Sequence, residues 1–331
     1  RATAYRLRAA RVGQHTLQIT ARGTGVGDAI KREIEVVPDG RRVAEVRNGT
    51  LQQPIEFTFD VPADAIEGSV KAILKIYPST FSQVLEGLEG IFQRPYGCFE
   101  QTSSTTYPNV LALDYLRRAN KSLPAVEATA RQYIHLGYQR LLSFEIAGGG
   151  FDWFGRPPAN RTLTAYGLME FEDMAQVHDV DPQLIQRTRA WLLAQRNADG
   201  SWSPELHGMH EDPTAGAGET ARLSTTAYIA WAVFGRRMDP ALAATTHGYL
   251  LSHAASDIDD PYVLALMCNA LLAMDSGGHD VRPYLARLTA LRQASGDGKQ
   301  VWWQRAANAR TAFYGAGLSG NIETTALATL A

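Results

Sequence analysis

The stretch Gln195-Arg196-Asn197-Ala198-Asp199-Gly200-Ser201-Trp202, with Thr225-Thr226-Ala227-Tyr228 beyond it, decides how this chain folds. Just before it, apolar residues recur at three and four spacing over residues 184–193, the period of an amphipathic helix. The order is then helix, Gly/Trp loop, and a second helix rich in small residues. That order returns on both sides: Gly150-Phe151-Asp152-Trp153 precedes Leu163-Thr164-Ala165-Tyr166, and Trp302-Trp303 precedes Glu323-Thr324-Thr325-Ala326. Helical periodicity also runs through residues 227–234, 263–274 and 284–291. Outer helix, loop, inner helix, repeated and closed on itself, predicts an α/α toroid, in which Ala and Thr let the inner helices crowd together. The aromatic of each loop reads as a plug at the end of the barrel rather than as a ligand cage.

Working outward toward the N-terminus, the period changes from 3.6 to two. His15–Thr20, Ile34–Val36, Val43–Val46, Ile55–Phe59 and Val70–Ile76 alternate or nearly so, and Pro38-Asp39-Gly40 and Asn48-Gly49 punctuate them. Residues 1–78 are therefore expected to form a partial antiparallel β-sandwich, and residues 79–331 the helical toroid. The chain opens on Arg1 within strand-like sequence and stops at Ala331 within an apolar run, so it reads as a piece of something longer, possessing no signal peptide of its own.

Composition narrows the function classes. With 331 residues, 45% hydrophobic and 20% charged, the chain can bury a sizeable core. A net charge of -2 with both signs interspersed gives no basic footprint for nucleic acid. No apolar run is long enough to span a bilayer. Two cysteines, Cys98 and Cys268, rule out a disulfide framework. Cys268 lies in Val263-Leu264-Ala265-Leu266-Met267-Cys268, where a buried inert thiol is the default. Cys98 lies among polar, turn-forming residues.

The segment around Cys98 reads Pro95-Tyr96-Gly97-Cys98-Phe99-Glu100-Gln101-Thr102-Ser103-Ser104. Cys98 and Gln101 are three apart, so on the first turn of a helix their side chains share a face. Gly97 permits a tight turn just before it. Glu100 either polarises the reacting groups or favours the helix N-terminus electrostatically. Spacing alone leaves three readings open: a structural cysteine, the nucleophile of a hydrolase, or a thioester in which sulfur replaces the amide nitrogen of Gln101.

Gly97-Cys98-Phe99-Glu100-Gln101 reproduces in full the Gly-Cys-x-Glu-Gln signature of the α2-macroglobulin and complement family, and its continuation Thr102-Ser103-Ser104-Thr105-Thr106-Tyr107-Pro108-Asn109-Val110 resembles the bacterial α2-macroglobulins. Glu33-Ile34-Glu35-Val36-Val37-Pro38-Asp39-Gly40 looks like the family's strand leading into its thioester domain. The resemblance implies a helical thioester domain inserted in a CUB β-sandwich, which fits residues 1–78 as part of the CUB. It implies an endopeptidase inhibitor rather than an enzyme: a protease cuts a bait region, and a lysine or hydroxyl of the protease then attacks the Gln101 acyl group and releases Cys98. Neither cofactor nor metal is implied. The implied partners are target endopeptidases, held covalently, the remaining macroglobulin and CUB regions, and cell-envelope proteins. The implied compartment is the periplasm, with the whole protein anchored to the inner membrane as a lipoprotein.

Tyr96 and Phe99 flank the site as candidate shields against water, a role weighed against plain packing at a helix end. In complement-type relatives a histidine following an Asp-Gly loop becomes the acyl carrier. Here Asp199-Gly200 is followed by His207 and His210, and His210 stands at the better matching distance. Two rivals remain. Gln195–Trp202 and Asp257-Ile258-Asp259-Asp260 resemble motifs of class II terpene cyclases, whose clustered carboxyls keep one proton; Asp260-Pro261 reads equally as a helix N-cap. The other rival is a helical interaction module whose Cys98 stays a free thiol.

Overall fold

The computed structural model describes residues 4–331 except 80, 81, 84–86, 88, 89, 121, 122, 206–217, 276 and 297. It divides into two compact units, Arg1–Pro78 and Ser79–Ala331.

In the first unit, strands β1 (Gly13–Gly23) and β2 (Val26–Val36) form an antiparallel hairpin, in register from Gly13 opposite Val36 to Gly23 opposite Val26. Paired residues share a face, so Leu17, Ile19, Ile30 and Ile34 lie on one side together with His15 and Arg32, while Gln14/Glu35, Thr16/Glu33 and Gln18/Lys31 make the other polar. The alternation of 15–20 and 34–36 thus lies in strand. The alternating stretches 43–46, 55–59 and 70–76 do not, and Val43, Val46, Ile73 and Leu74 stay exposed. The expected half-sandwich is reduced to one hairpin among the described residues. A period of two marks a side chain that wants a covered face, but a strand exists only once it has a neighbour to pair with.

The second unit is mainly helical. Among the described residues its longer helices are α1 (Phe99–Arg118), α2 (Pro124–Leu142), α3 (Arg161–Met174), α4 (Pro182–Ala194), α5 (Glu219–Phe234), α6 (Pro240–Leu251), α7 (Pro261–Met274), α8 (Arg282–Ala290) and α9 (Gly317–Leu330). The odd-numbered helices pack in a row, α1 on α3, α3 on α5, α5 on α7 and α7 on α9. The even-numbered ones each back the odd helix before them. This is the predicted alternation of inner and outer helices. The row does not close: α9 packs on α7, with no comparable packing on α1 among the described residues. The described helices thus form the expected α/α array of inner and outer helices, open between α9 and α1.

Local sequence explains where these helices begin. Asp181, Asp239 and Asp260 each accept a hydrogen bond from the first turn of α4, α6 and α7, and a proline follows each aspartate. The repeat itself rests on one device used three times. An inner-helix threonine accepts the backbone N–H of the loop aromatic: Phe151 N donates to Thr164 Oγ1 (2.9 Å), Trp202 N to Thr226 Oγ1 (2.9 Å) and Trp303 N to Thr325 Oγ1 (3.1 Å). Trp202 and Trp303 also pin the outer helix, their Nε1 donating to the carbonyls of Leu192 and Leu288 at 2.7 Å. Phe151 and Trp202 are fully buried, so the loop aromatics lock outer to inner helix instead of lining a cage.

Candidate functional site

Helix α1 begins at the segment that the sequence singles out. Cys98 is its N-cap, with extended backbone angles and 8% exposure. Cys98 and Gln101 form a reciprocal capping box: the cysteine side chain faces the Gln101 N–H, and the Cys98 N–H donates to Gln101 Oε1 at 3.2 Å. The Gln101 side chain therefore folds back over the turn. Gly97 makes room for it. Its φ is +82°, and a Cβ there would lie 1.9 Å from Gln101 Oε1 and 2.8 Å from Gln101 Cδ. Only glycine satisfies both the backbone angle and that close approach.

Two neighbours hold this turn. From the end of α2, the Arg140 guanidinium donates through Nε (3.0 Å) and Nη2 to the Gly97 carbonyl, and through Nε to Thr102 Oγ1 at 3.2 Å. The Thr102 hydroxyl donates onward to the Tyr96 carbonyl at 3.1 Å. From the first repeat loop, the Trp153 carbonyl accepts the Phe99 N–H at 2.9 Å, and the Trp153 indole N–H donates to Glu100 at 3.4 Å. Glu100 thus stands in the first turn of α1 facing an indole. Phe99 is fully buried, its ring 5.1 Å from Phe151 and 6.1 Å edge-on to Phe144, and it packs on Gly167 of α3. Tyr96 is 57% exposed.

Arg140, Thr102 and Trp153 have no part in the site as read from sequence. Trp153 is recognisable as a repeat-loop aromatic, and only the fold turns its indole toward Glu100. Arg140 carries no local signal, because its contact crosses from the end of α2 to the loop before α1. His207 and His210 lie outside the described residues. The residues on either side of that gap, Glu205 and Gly218, line a cavity of about 520 Å³ that Glu100 and Trp153 also line.

The remaining titratable groups sort into structural roles. Burial pushes the Cys268 thiol up to about 12, so it is inert. Glu170 of α3 is fully buried, and burial raises its carboxyl to about 8; the Ser103 side chain tempers the rise without the geometry of a hydrogen bond. Asp260 caps α7 and pairs in a fork with Arg305, Asp259 pairs with Arg287, and Asp257 is exposed. These carboxyls face cations and solvent rather than one another, which is the N-cap reading and not the shared-proton acid of a cyclase.

The family model described as the A-macroglobulin TED domain matches residues 70–331. The chain is 23% identical over 280 residues to Alpha-2-macroglobulin-like protein 1 of Mus musculus, covering 82% of this chain and 19% of that protein. It is 23% identical over 318 residues to Thioester-containing protein 1 allele S1 of Anopheles gambiae, covering 92% and 22%. The chain thus spans about a fifth of the length of these curated relatives. Among solved structures, native alpha-2-macroglobulin from Escherichia coli, spanning domain MG7 to the C-terminus, matches with a TM-score of 0.45 and 20% identity, over 65% of this chain and 32% of that one.

Proposed function

Since the chain belongs to the A-macroglobulin thioester-domain family, we propose that Cys98 and Gln101 are the two ends of an internal thioester, and that this segment is the reactive part of a single-use endopeptidase trap. The observation that carries the reading is the fold of Gln101 back over Gly97, which keeps its acyl group at the capping cysteine. The bond forms when the Cys98 sulfur attacks Gln101 Cδ and ammonia leaves. It breaks when an amine or hydroxyl attacks the same carbon: a new amide or ester forms, the carbon–sulfur bond opens, and the Cys98 thiolate takes up the proton the attacker loses. Sulfur donates its lone pair poorly to the carbonyl and leaves readily as thiolate, so no cofactor is needed.

In the whole protein, cleavage of a bait segment would expose the bond, and a lysine or hydroxyl of the endopeptidase would be the attacker. The other proposed partners are the remaining macroglobulin and CUB regions, with residues 1–78 as part of the latter, and cell-envelope proteins. The proposed compartment is the periplasm. His210 is the proposed acyl carrier toward hydroxyl acceptors, on its place in the sequence after Asp199-Gly200.

Intact-mass spectrometry tests the reading. The chain is expected to be lighter by one ammonia, to show no titratable thiol at Cys98, and to gain methylamine at Gln101 with release of that thiol. Cys98→Ser is expected to restore the full mass, take up no methylamine and leave the fold intact, and His210→Ala to shift capture from hydroxyls toward amines. A chain of full mass, with a reactive Cys98 and no uptake of methylamine, would be a non-covalent helical module instead. Hydrolysis before measurement leaves a carboxylate in place of the Gln101 amide and is read from the same spectrum.

A further inference from the structure

We propose that the backbone N–H of Cys98 is the oxyanion donor of this site, and that Arg140 is the residue that positions it. The inference rests on the thioester reading and adds to it the group that stabilises the transition state.

When a nucleophile attacks Gln101 Cδ, the carbonyl double bond opens and negative charge collects on Oε1. When the tetrahedral intermediate collapses, the carbonyl re-forms and the carbon–sulfur bond breaks. Oε1 is the one heteroatom of the Gln101 side chain retained throughout, in the amide, the thioester and the product. It already accepts the Cys98 N–H at 3.2 Å. A donor aimed at that oxygen before the reaction begins gains strength as the charge grows and needs no reorganisation to do so. A capping glutamine in an ordinary helix uses the same contact only to satisfy an N–H.

The other end of the same peptide unit makes the difference. The Cys98 N–H and the Gly97 C=O belong to one planar amide. The Gly97 oxygen receives two hydrogen bonds from the Arg140 guanidinium, whose Nε also reaches Thr102, while Thr102 anchors the Tyr96 carbonyl. A cation on the carbonyl draws electron density through the amide and makes its N–H a stronger donor. The bidentate grip also fixes the plane, and with it the direction of the N–H. Arg140 forms no ion pair with a carboxylate among the described residues, and its guanidinium lies 5.7 Å from the Phe144 ring centroid. The residue is exposed as a whole, so its effect comes from geometry at one carbonyl and not from a buried charge.

The test is aminolysis of the thioester in the chain itself, with methylamine as the nucleophile and thiol release as the readout. Arg140→Gln is expected to slow the second-order reaction about ten- to a hundredfold, less than the roughly 10²–10³ lost when such a donor is removed outright. Arg140→Lys, which keeps a cation over the Gly97 oxygen, is expected to recover part of that loss. A purely structural role would not move the carbonyl stretch of the thioester. With 13C at Gln101 Cδ, infrared difference spectra are expected to show that stretch at higher frequency in Arg140→Gln than in the parent chain, with Arg140→Lys between. By microscopic reversibility thioester formation should slow too, followed as loss of ammonia by mass. Equal aminolysis rates and an unmoved stretch in both folded variants would overturn the assignment and leave the thioester standing. A parent chain of full mass that takes up no methylamine would instead remove the thioester, and this inference with it.

Discussion

At the scale of single residues, Gly97 meets two demands at once. Its φ of +82° and the 1.9 Å separation between a hypothetical Cβ and Gln101 Oε1 are two independent objections to any side chain. Adding a methyl there cannot be absorbed by the glutamine without moving Cδ away from Cys98, because Gln101 Cδ would itself lie 2.8 Å from the new carbon. Gly97→Ala is therefore expected to lose methylamine uptake altogether while destabilising the chain by only about 1–3 kcal/mol, with helical circular dichroism retained. Unchanged uptake would mean that the fold of Gln101 over the turn has no part in the chemistry. The turn that places Cys98, Gln101 and Gly97 together is legible as a candidate site because its requirement is local: a thiol and a carboxamide one turn apart, after a residue without a side chain. Arg140 was not, since nothing in a sequence says which distant cation will meet a given backbone carbonyl.

At the scale of elements, the repeat couples each Gly/aromatic loop to the helices around it. Gly200, with φ +88°, sits against the backbone of α6, where a Cβ would approach the Thr245 carbonyl carbon to 2.5 Å and Thr246 N to 2.6 Å. Thr246 Oγ1 in turn donates to the Gly200 carbonyl at 2.7 Å. Backbone cannot step aside as a flexible side chain can, so Gly200→Ala is expected to cost about 2 kcal/mol or more. Gly248, two residues further along α6 and exposed, meets nothing within 4 Å, and Gly248→Ala is expected to stabilise by about 0.5–1 kcal/mol. Paired urea unfolding curves check both signs. Elements of this kind could be read in advance: the helical spacing, the Asp-Pro starts of α4, α6 and α7, and the threonine after each Gly/aromatic loop are all contained within short windows. The stretches 43–46, 55–59 and 70–76 could not, because alternation reports a two-sided environment and the partner that would provide it is not a local property.

At the scale of the whole helical unit, α3 is the joint. Ala165 and Leu168 belong to the apolar cluster shared with α5 and α7, whereas Leu163, Phe171 and Met174 belong to the one shared with α1, α2 and α4. Glu170 sits on this helix with both carboxylate oxygens buried and without a hydrogen-bond partner among the described residues, near Tyr166 and Ser103. Its carboxyl rises from 4.5 to about 8, so the folded chain holds a proton there that the unfolded chain has released over the same interval. Folded protein binds more protons than unfolded between about pH 4.5 and pH 8, and stability must fall as pH rises through that window, then level off. The slope contributed is about 1.4 kcal/mol per pH unit, on the order of 3–5 kcal/mol across the window. Glu323, raised by burial as well, adds slope of the same sign. His178, whose protonation is disfavoured by burial, acts oppositely, losing stability as pH falls below its ordinary value. Glu170→Gln removes the ionisation at almost constant shape. It is expected to exceed the parent chain at pH 8.5, to approach it near pH 5, and to flatten the intervening decline measured by urea midpoints. A decline as steep in Glu170→Gln as in the parent would place the titrating group elsewhere, and a loss of stability at pH 8.5 would mean that the ionised carboxylate had found partners after all.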